Sequence, residues 1–117
     1  MDGLKIGIAG GGFQGKAEAI WLAKREINSV VFDINADLIG RIRDELLSSN
    51  KSRRYLQYIT LTSNLEDLGG CSLIIENVTE NKDIKFKVLK DIESVAGENT
   101  IIASNSSSYM PSFLAQV

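Results

Sequence analysis

Apolar and polar positions along this chain follow two rhythms: short runs dense in β-branched residues, and longer stretches in which apolar residues return every three or four positions. Leu4-Lys5-Ile6-Gly7-Ile8-Ala9 is the first short run, and Gly10-Gly11-Gly12 stops it, which predicts a buried strand ending in a tight turn. A helix is predicted from Phe13 to Ile27, with Ala17, Ile20, Trp21, Ile27 and the stem of Lys24 turned inward and Lys16, Glu18, Arg25 and Glu26 in water. Val30-Val31-Phe32 is a second strand, ending at Asp33. Asn35 is placed to cap the next helix, whose positive start suits Asp37 and whose inner face carries Leu38, Ile42 and Leu46. Ile59-Thr60-Leu61-Thr62 is a weak third strand, Leu73-Ile74-Ile75 a strong fourth and Thr100-Ile101-Ile102-Ala103 a fifth. Between the last two, Asp83 to Ala96 is helical, with Ile84, Val88, Leu89, Ile92 and Val95 on the core side and Gly97 as its stop. Pro111 suits the first turn of a final helix.

Strands alternating with helices at this spacing predict βαβ units in a parallel sheet covered on both faces, an α/β architecture. The 117 residues, 44% of them hydrophobic, suffice for one domain over 1–117 and leave no room for a second, substrate-shaping one. Thirteen Lys and Arg against fifteen Asp and Glu give a net charge of -2, which provides no overall basic field for nucleic acid or an anionic membrane. No apolar run is long enough for a signal sequence or a membrane span. The single cysteine, Cys71, reads as a small buried residue in a reducing, cytoplasmic setting. The chain has no histidine, which removes the commonest general base and metal ligand, and no metal site is expected.

Gly10-Gly11-Gly12-Phe13-Gln14-Gly15 fits G-x-G-x-x-G. It follows a predicted strand, opens a predicted helix and is followed by an acid, Asp33, at the end of the next strand, 23 residues after Gly10. That context is the dinucleotide-binding, Rossmann-type arrangement. Gly10 would make the tight turn, Gly12 would admit the pyrophosphate, Gly15 would let helix and strand approach, and the helix start would present free N–H groups. Asp33 would accept hydrogen bonds from the adenosine ribose. Ile34-Asn35-Ala36 supplies no cation for a 2′-phosphate, so NAD is favoured over NADP. The plainer alternative is a βα turn with a capping aspartate. Two further polar clusters, Glu76-Asn77-Val78-Thr79-Glu80-Asn81 and Ser104-Asn105-Ser106-Ser107-Ser108, follow the fourth and fifth strands, at the sheet edge where such folds bind ligands. Capping by Glu80, Asn81 or the serines is the alternative there. Trp21, Tyr55, Tyr58 and Tyr109 read as core or helix-packing groups.

These segments, together with Asn64-Leu65-Glu66-Asp67-Leu68, resemble in order and spacing the N-terminal NAD-binding domain of the 3-hydroxyacyl-CoA dehydrogenase family over nearly the whole chain. The resemblance implies a doubly wound parallel sheet of order 3-2-1-4-5, NAD as cofactor, and hydride transfer between a 3-hydroxyacyl thioester and NAD. It implies that Gly10, Gly12, Phe13, Gln14 and Gly15 with Asp33 hold the adenosine diphosphate half. Glu80 and Lys85 would lie along the nicotinamide side with Asn105 near the ring, and Ser107 would hydrogen-bond the substrate's 3-oxygen. The family's general base, a histidine in a further strand, has no counterpart in this chain, so the resemblance makes it the N-terminal part of a longer enzyme. The family's long helical hairpin after the second strand is also shortened here, between Ala36 and Tyr58, to about one helix and a basic turn, Lys51, Arg53 and Arg54. That turn reads as a solvated patch or as a contact for phosphate of coenzyme A or a phosphopantetheine arm. The shortening leaves open a relative acting on carrier-protein thioesters. A non-catalytic NAD-binding module or redox sensor is the reading from another class. An apolar edge beside an incomplete last helix would favour a homo-oligomer.

Overall fold

The computed structural model describes residues 4–77 and 81–104. Five parallel strands form one sheet: β1 Lys5–Ala9, β2 Asn28–Phe32, β3 Ile59–Thr62, β4 Leu73–Glu76 and β5 Ile101–Ser104, in the order β3-β2-β1-β4-β5. The helices are α1 Phe13–Ala23, α2 Ala36–Leu47, α3 Asn50–Arg53 and α4 Lys82–Val95, and single 3-10 turns occupy Arg54–Gln57 and Leu65–Leu68. No described helix is long and apolar enough to cross a membrane.

Side chains alternate across β1 and sort the core into two layers. Ile6 and Ile8 meet Ala19, Leu22 and Ala23 of α1 and Ile39, Ile42 and Leu46 of α2 on one face. Ala9, with Val30 and Ile74, meets Leu68, Cys71 and Ile92 of α4 on the other. Gly7 faces this second layer without a side chain: a Cβ there would stand 2.9 Å from Leu68 and 3.2 Å from the Cys71 sulfur, so the 3-10 turn seats directly on the strand. Burial pushes the Cys71 thiol above its usual range, with a weaker opposing pull from Lys5, as suits an inert core residue. The chain winds outward from β1 in both directions, so β1 leads to α1 on one face of the sheet and β4 to α4 on the other, and the two connections diverge above the carboxyl ends of the paired strands.

The strands form where the apolar runs predict them, within a residue or two. Asn35 caps α2 as expected, its side-chain oxygen accepting from the Asp37 and Leu38 amides at 3.0 and 3.2 Å. The first helix departs from its expected extent and phase. It stops at Ala23, and the buried positions are Gly15, Ala19, Leu22 and Ala23; of the predicted inward set Ile20 packs partly buried against that layer, whereas Ala17 and Trp21 are exposed. Ile27 misled the periodicity because it follows the helix: its N–H donates to the Leu22 carbonyl at 3.0 Å and that of Glu26 to Ala23 at 3.0 Å, a Schellman closure that returns Ile27 to the core. Trp21 is 55% exposed, with the Arg25 guanidinium 3.5 Å from its ring centroid, so it is a surface cation–π partner and not a core residue. Tyr55 and Tyr58 pack partly buried against the α1/α2 layer, and Tyr109 lies outside the described residues. On α4, Ile84 is 49% exposed while Leu89 and Ile92 are buried. That helix ends one residue early, with Ala96 already extended and Gly97 opening a turn to Thr100.

Glu26 occupies the left-handed position of the Schellman closure at φ 59°, where glycine is the unstrained residue. Its carboxylate accepts the Tyr58 hydroxyl at 3.1 Å, a bond that holds the phenol above its ordinary pKa. Glu26→Gly should stabilise the domain by about 0.5–1 kcal/mol through backbone relief, read as a higher denaturant midpoint at unchanged slope. A lower midpoint would show that the Tyr58 bond outweighs the strain.

Candidate cofactor site

The site begins where β1 runs out of side chains. Gly10 turns the chain at φ +112°, and its N–H donates to the Phe32 carbonyl at 2.8 Å, which holds the turn over the end of β2. A Cβ on Gly15 would lie 2.1 Å from the Gly10 carbonyl oxygen, so the first turn of α1 rests directly on the loop. Gly12, the residue preceding α1, has the opposite character: nothing lies within 4 Å of where its Cβ would be. Phe13 and Gln14 follow with exposed side chains.

The start of α1 differs from those of the other described helices. Asn35, Ser49 and Asn81 cap α2, α3 and α4 with side-chain oxygens, whereas α1 has no side-chain cap and no acid in its first turn. Its leading amides therefore meet the open space beside Gly12, an anion site made of backbone.

Asp33 closes the other side. Its two carboxylate oxygens accept from the Gly11 and Asn35 amides, each at 2.9 Å, which joins the end of β2 to the glycine loop. The plainer expectation of a local turn bond is thus met, and capacity remains, because a carboxylate offers about four lone-pair positions and two are used here. Beside it, a cleft of about 430 Å³ opens between the ends of β1 and β2 and the flank of α4, with Asp33, Ile34, Leu65, Ile84 and Val88 in its walls. That size is within the range of small-molecule sites. Glycine loop, uncapped helix start, acceptor and apolar cleft together fit the diphosphate, ribose and adenine of a dinucleotide.

Across β1 from the cleft, Glu76 ends β4 with no exposed surface, and Lys85 of α4 is 1% exposed. The Lys85 ammonium donates to both Glu76 oxygens at 2.8 Å, and the Ser104 hydroxyl donates to one of them at 2.8 Å. The pairing of Lys85 with Glu76 was not foreseen. Its signal lies in phase: Lys85 shares the inward stripe of Leu89 and Ile92, and Glu76 shares the inward parity of Ile74, so opposite charges fall on facing core positions. Asn77, next in line, donates its side-chain amide to Glu18 of α1 at 2.6 Å. Asn81 takes the capping role weighed for it, accepting from the Ile84 amide at 3.1 Å. Glu80, Asn105 and Ser107 lie outside the described residues. The basic turn belongs to the opposite edge: it precedes the start of β3, and Arg53 donates to the Leu47 carbonyl at the end of α2 at 2.9 Å.

Residues 5–117 match the family described as 3-hydroxyacyl-CoA dehydrogenase, NAD binding domain. The chain belongs to that family. Its NAD-binding domain is 33% identical over 120 aligned positions, 97% of the chain, to the fatty acid oxidation complex subunit alpha of Pseudomonas syringae pv. syringae (strain B728a), of which it covers 17%. Among solved structures it is similar to (S)-3-hydroxybutyryl-CoA dehydrogenase PaaH1 from Ralstonia eutropha, with a TM-score of 0.81 and 33% identity, over 96% of this chain and 44% of that one. It is also similar to M. tuberculosis FadB2, with a TM-score of 0.82 and 27% identity, over 95% of this chain and 44% of that one. The NAD-binding domain thus spans about a sixth of that curated relative's length and under half of these solved chains.

Gly15 gives the sharpest test of the loop in this NAD-binding domain. Gly15→Ala forces a methyl into the Gly10 carbonyl, and we expect a loss of about 3 kcal/mol or more, read by thermal unfolding, together with loss of NADH binding. Gly12→Ala, entering open space, should leave the melting temperature within about a degree while weakening NADH binding.

Proposed function

We propose that this domain binds NAD along the carboxyl edge of its sheet and orients it toward a 3-hydroxyacyl thioester of coenzyme A within a longer dehydrogenase. The single observation that carries the reading is the contrast at α1: an uncapped helix start over an open glycine, with the Asp33 carboxylate locked beside it. Gly10, Gly12, Phe13, Gln14 and Gly15 would supply backbone to the diphosphate. Asp33 would accept from the adenosine ribose hydroxyls, and the apolar walls at Ile34, Leu65, Ile84 and Val88 would take the adenine.

When bound, NAD supplies a hydride acceptor for C3 of the hydroxyacyl group. Around it, Glu80 and Asn105 would fix the nicotinamide half, with Lys85 acting from beneath through its pair with Glu76, and Ser107 would donate to the substrate's 3-oxygen. The chain has no histidine, so the acceptor of the hydroxyl proton would come from outside it. The acyl-CoA substrate rests on the similarity to (S)-3-hydroxybutyryl-CoA dehydrogenase from Ralstonia eutropha. A reducing cytoplasmic setting suits the buried, reduced Cys71.

The test is a fluorescence titration with NADH and NADPH. NADH should saturate and NADPH should bind at least tenfold more weakly, because the Asp33 carboxylate repels a 2′-phosphate. Asp33→Asn should weaken NADH by about tenfold, the worth of one charged hydrogen bond, and narrow the gap between the two cofactors. Equal affinity for both, or no binding by a folded chain, would sink the reading.

A further inference from the structure

We propose that the buried Glu76–Lys85 pair is an electrostatic positioning element that keeps the floor of the nicotinamide half neutral and so spares the domain a charge-imposed preference between oxidised and reduced cofactor. The inference rests on the functional reading above. With the adenosine end in the cleft beside β2 and the diphosphate over β1, the remaining half of the dinucleotide extends over β4 and β5. Glu76 is in the last row of that surface: it pairs laterally with Ala9, the residue before the glycine loop, and with Ser104 at the end of β5. Its carboxylate and the Lys85 ammonium are almost wholly removed from water and meet through two bonds of 2.8 Å.

Such a pair is a costly way to hold a helix against a sheet. Desolvation of both ions offsets most of their attraction, and apolar residues of the same volume hold equally well or better. What apolar residues cannot supply is a balanced charge. The nicotinamide ring is a cation in the oxidised cofactor and neutral in the reduced one. An unbalanced ion close beneath it therefore acts on one form and not on the other, with little solvent to screen it. Lys85 alone would disfavour the oxidised form; Glu76 alone would favour it. Paired, they leave the ring's own preference nearly untouched, and Glu76 also receives the Ser104 hydroxyl, which ties β5 to the same centre.

The experiment measures dissociation constants of the chain for NAD+ by calorimetry and for NADH by fluorescence, in the parent, Glu76→Gln, Lys85→Met and the double variant, with thermal unfolding of each. Glu76→Gln should raise the ratio of the NAD+ to the NADH constant by about fivefold or more, and Lys85→Met should lower it by a similar factor. The double variant, neutral again, should return to the parent's ratio even where its melting temperature has fallen, which keeps the test open if either single variant folds poorly. Weakening of both forms by one factor in every variant, or ratios moving in the same direction in the two single variants, would overturn the proposal and reduce the pair to a structural link. A folded parent that binds neither form would overturn the cofactor reading itself and the proposal with it.

Discussion

The contact between Gly15 and the Gly10 carbonyl constrains the rest of this molecule more tightly than any other. With only 2.1 Å available for a Cβ, α1 can begin where it does only if position 15 has no side chain, and the loop can turn back only if Gly10 adopts a positive φ. The strand, the turn and the helix are thereby set as one rigid corner, its free amides pointing outward. Everything functional is referenced to that corner. Asp33 reaches it from β2 through the Gly11 amide, and Asn77 reaches it from β4, donating its own amide to the Ala9 carbonyl at 2.8 Å and its side chain to α1. Neighbouring strand ends are thus fixed to the corner by short bonds, so a dinucleotide bound there would meet a surface whose ordering has already occurred during folding.

How much of this was legible in the sequence depended on how local the determining physics is. Strands bounded by glycine or by polar clusters, the Asn35 cap and the G-x-G-x-x-G loop with its distant aspartate rest on steric and hydrogen-bonding rules that act within a few residues. Those were readable; the strand order that places the loop at the sheet's centre came from the family resemblance instead. The phase of α1 was not. Ile27 lies at helical spacing from Ile20 and Lys24, but the chain leaves the helix at Ala23 by way of a left-handed glutamate, and no composition rule expects glutamate there. With Ile27 counted in, the apparent apolar face rotates and carries Trp21 inward, whereas Arg25 in fact covers the ring from the solvent side.

The Glu76–Lys85 pair was obscured for a different reason. Read along the chain, Glu76 is one acid in a polar cluster and Lys85 one cation on an amphipathic helix, and each looks solvated. Their phase with Ile74 on the strand and with Leu89 and Ile92 on the helix marks both as inward, but only the seating of α4 over β4 brings the two charges together. Tertiary packing turns two charges of inward phase into a buried ion pair, and propensity has no access to that step.

The two halves of the site are therefore built from different physics. At the proposed adenosine end, backbone amides, one carboxylate already engaged by the loop and apolar walls would meet groups whose charge does not change between the oxidised and reduced cofactor, so fixed dipoles and shape would suffice. At the other end the bound group would alternate between cation and neutral, and an uncompensated ion buried beneath it would favour one redox state over the other. A domain that must both accept and discharge its cofactor is better served by a floor with no net charge than by one with strong affinity. The Glu76–Lys85–Ser104 centre would meet that requirement: it provides polar support at the ends of β4 and β5 while the two charges of the pair face each other at 2.8 Å.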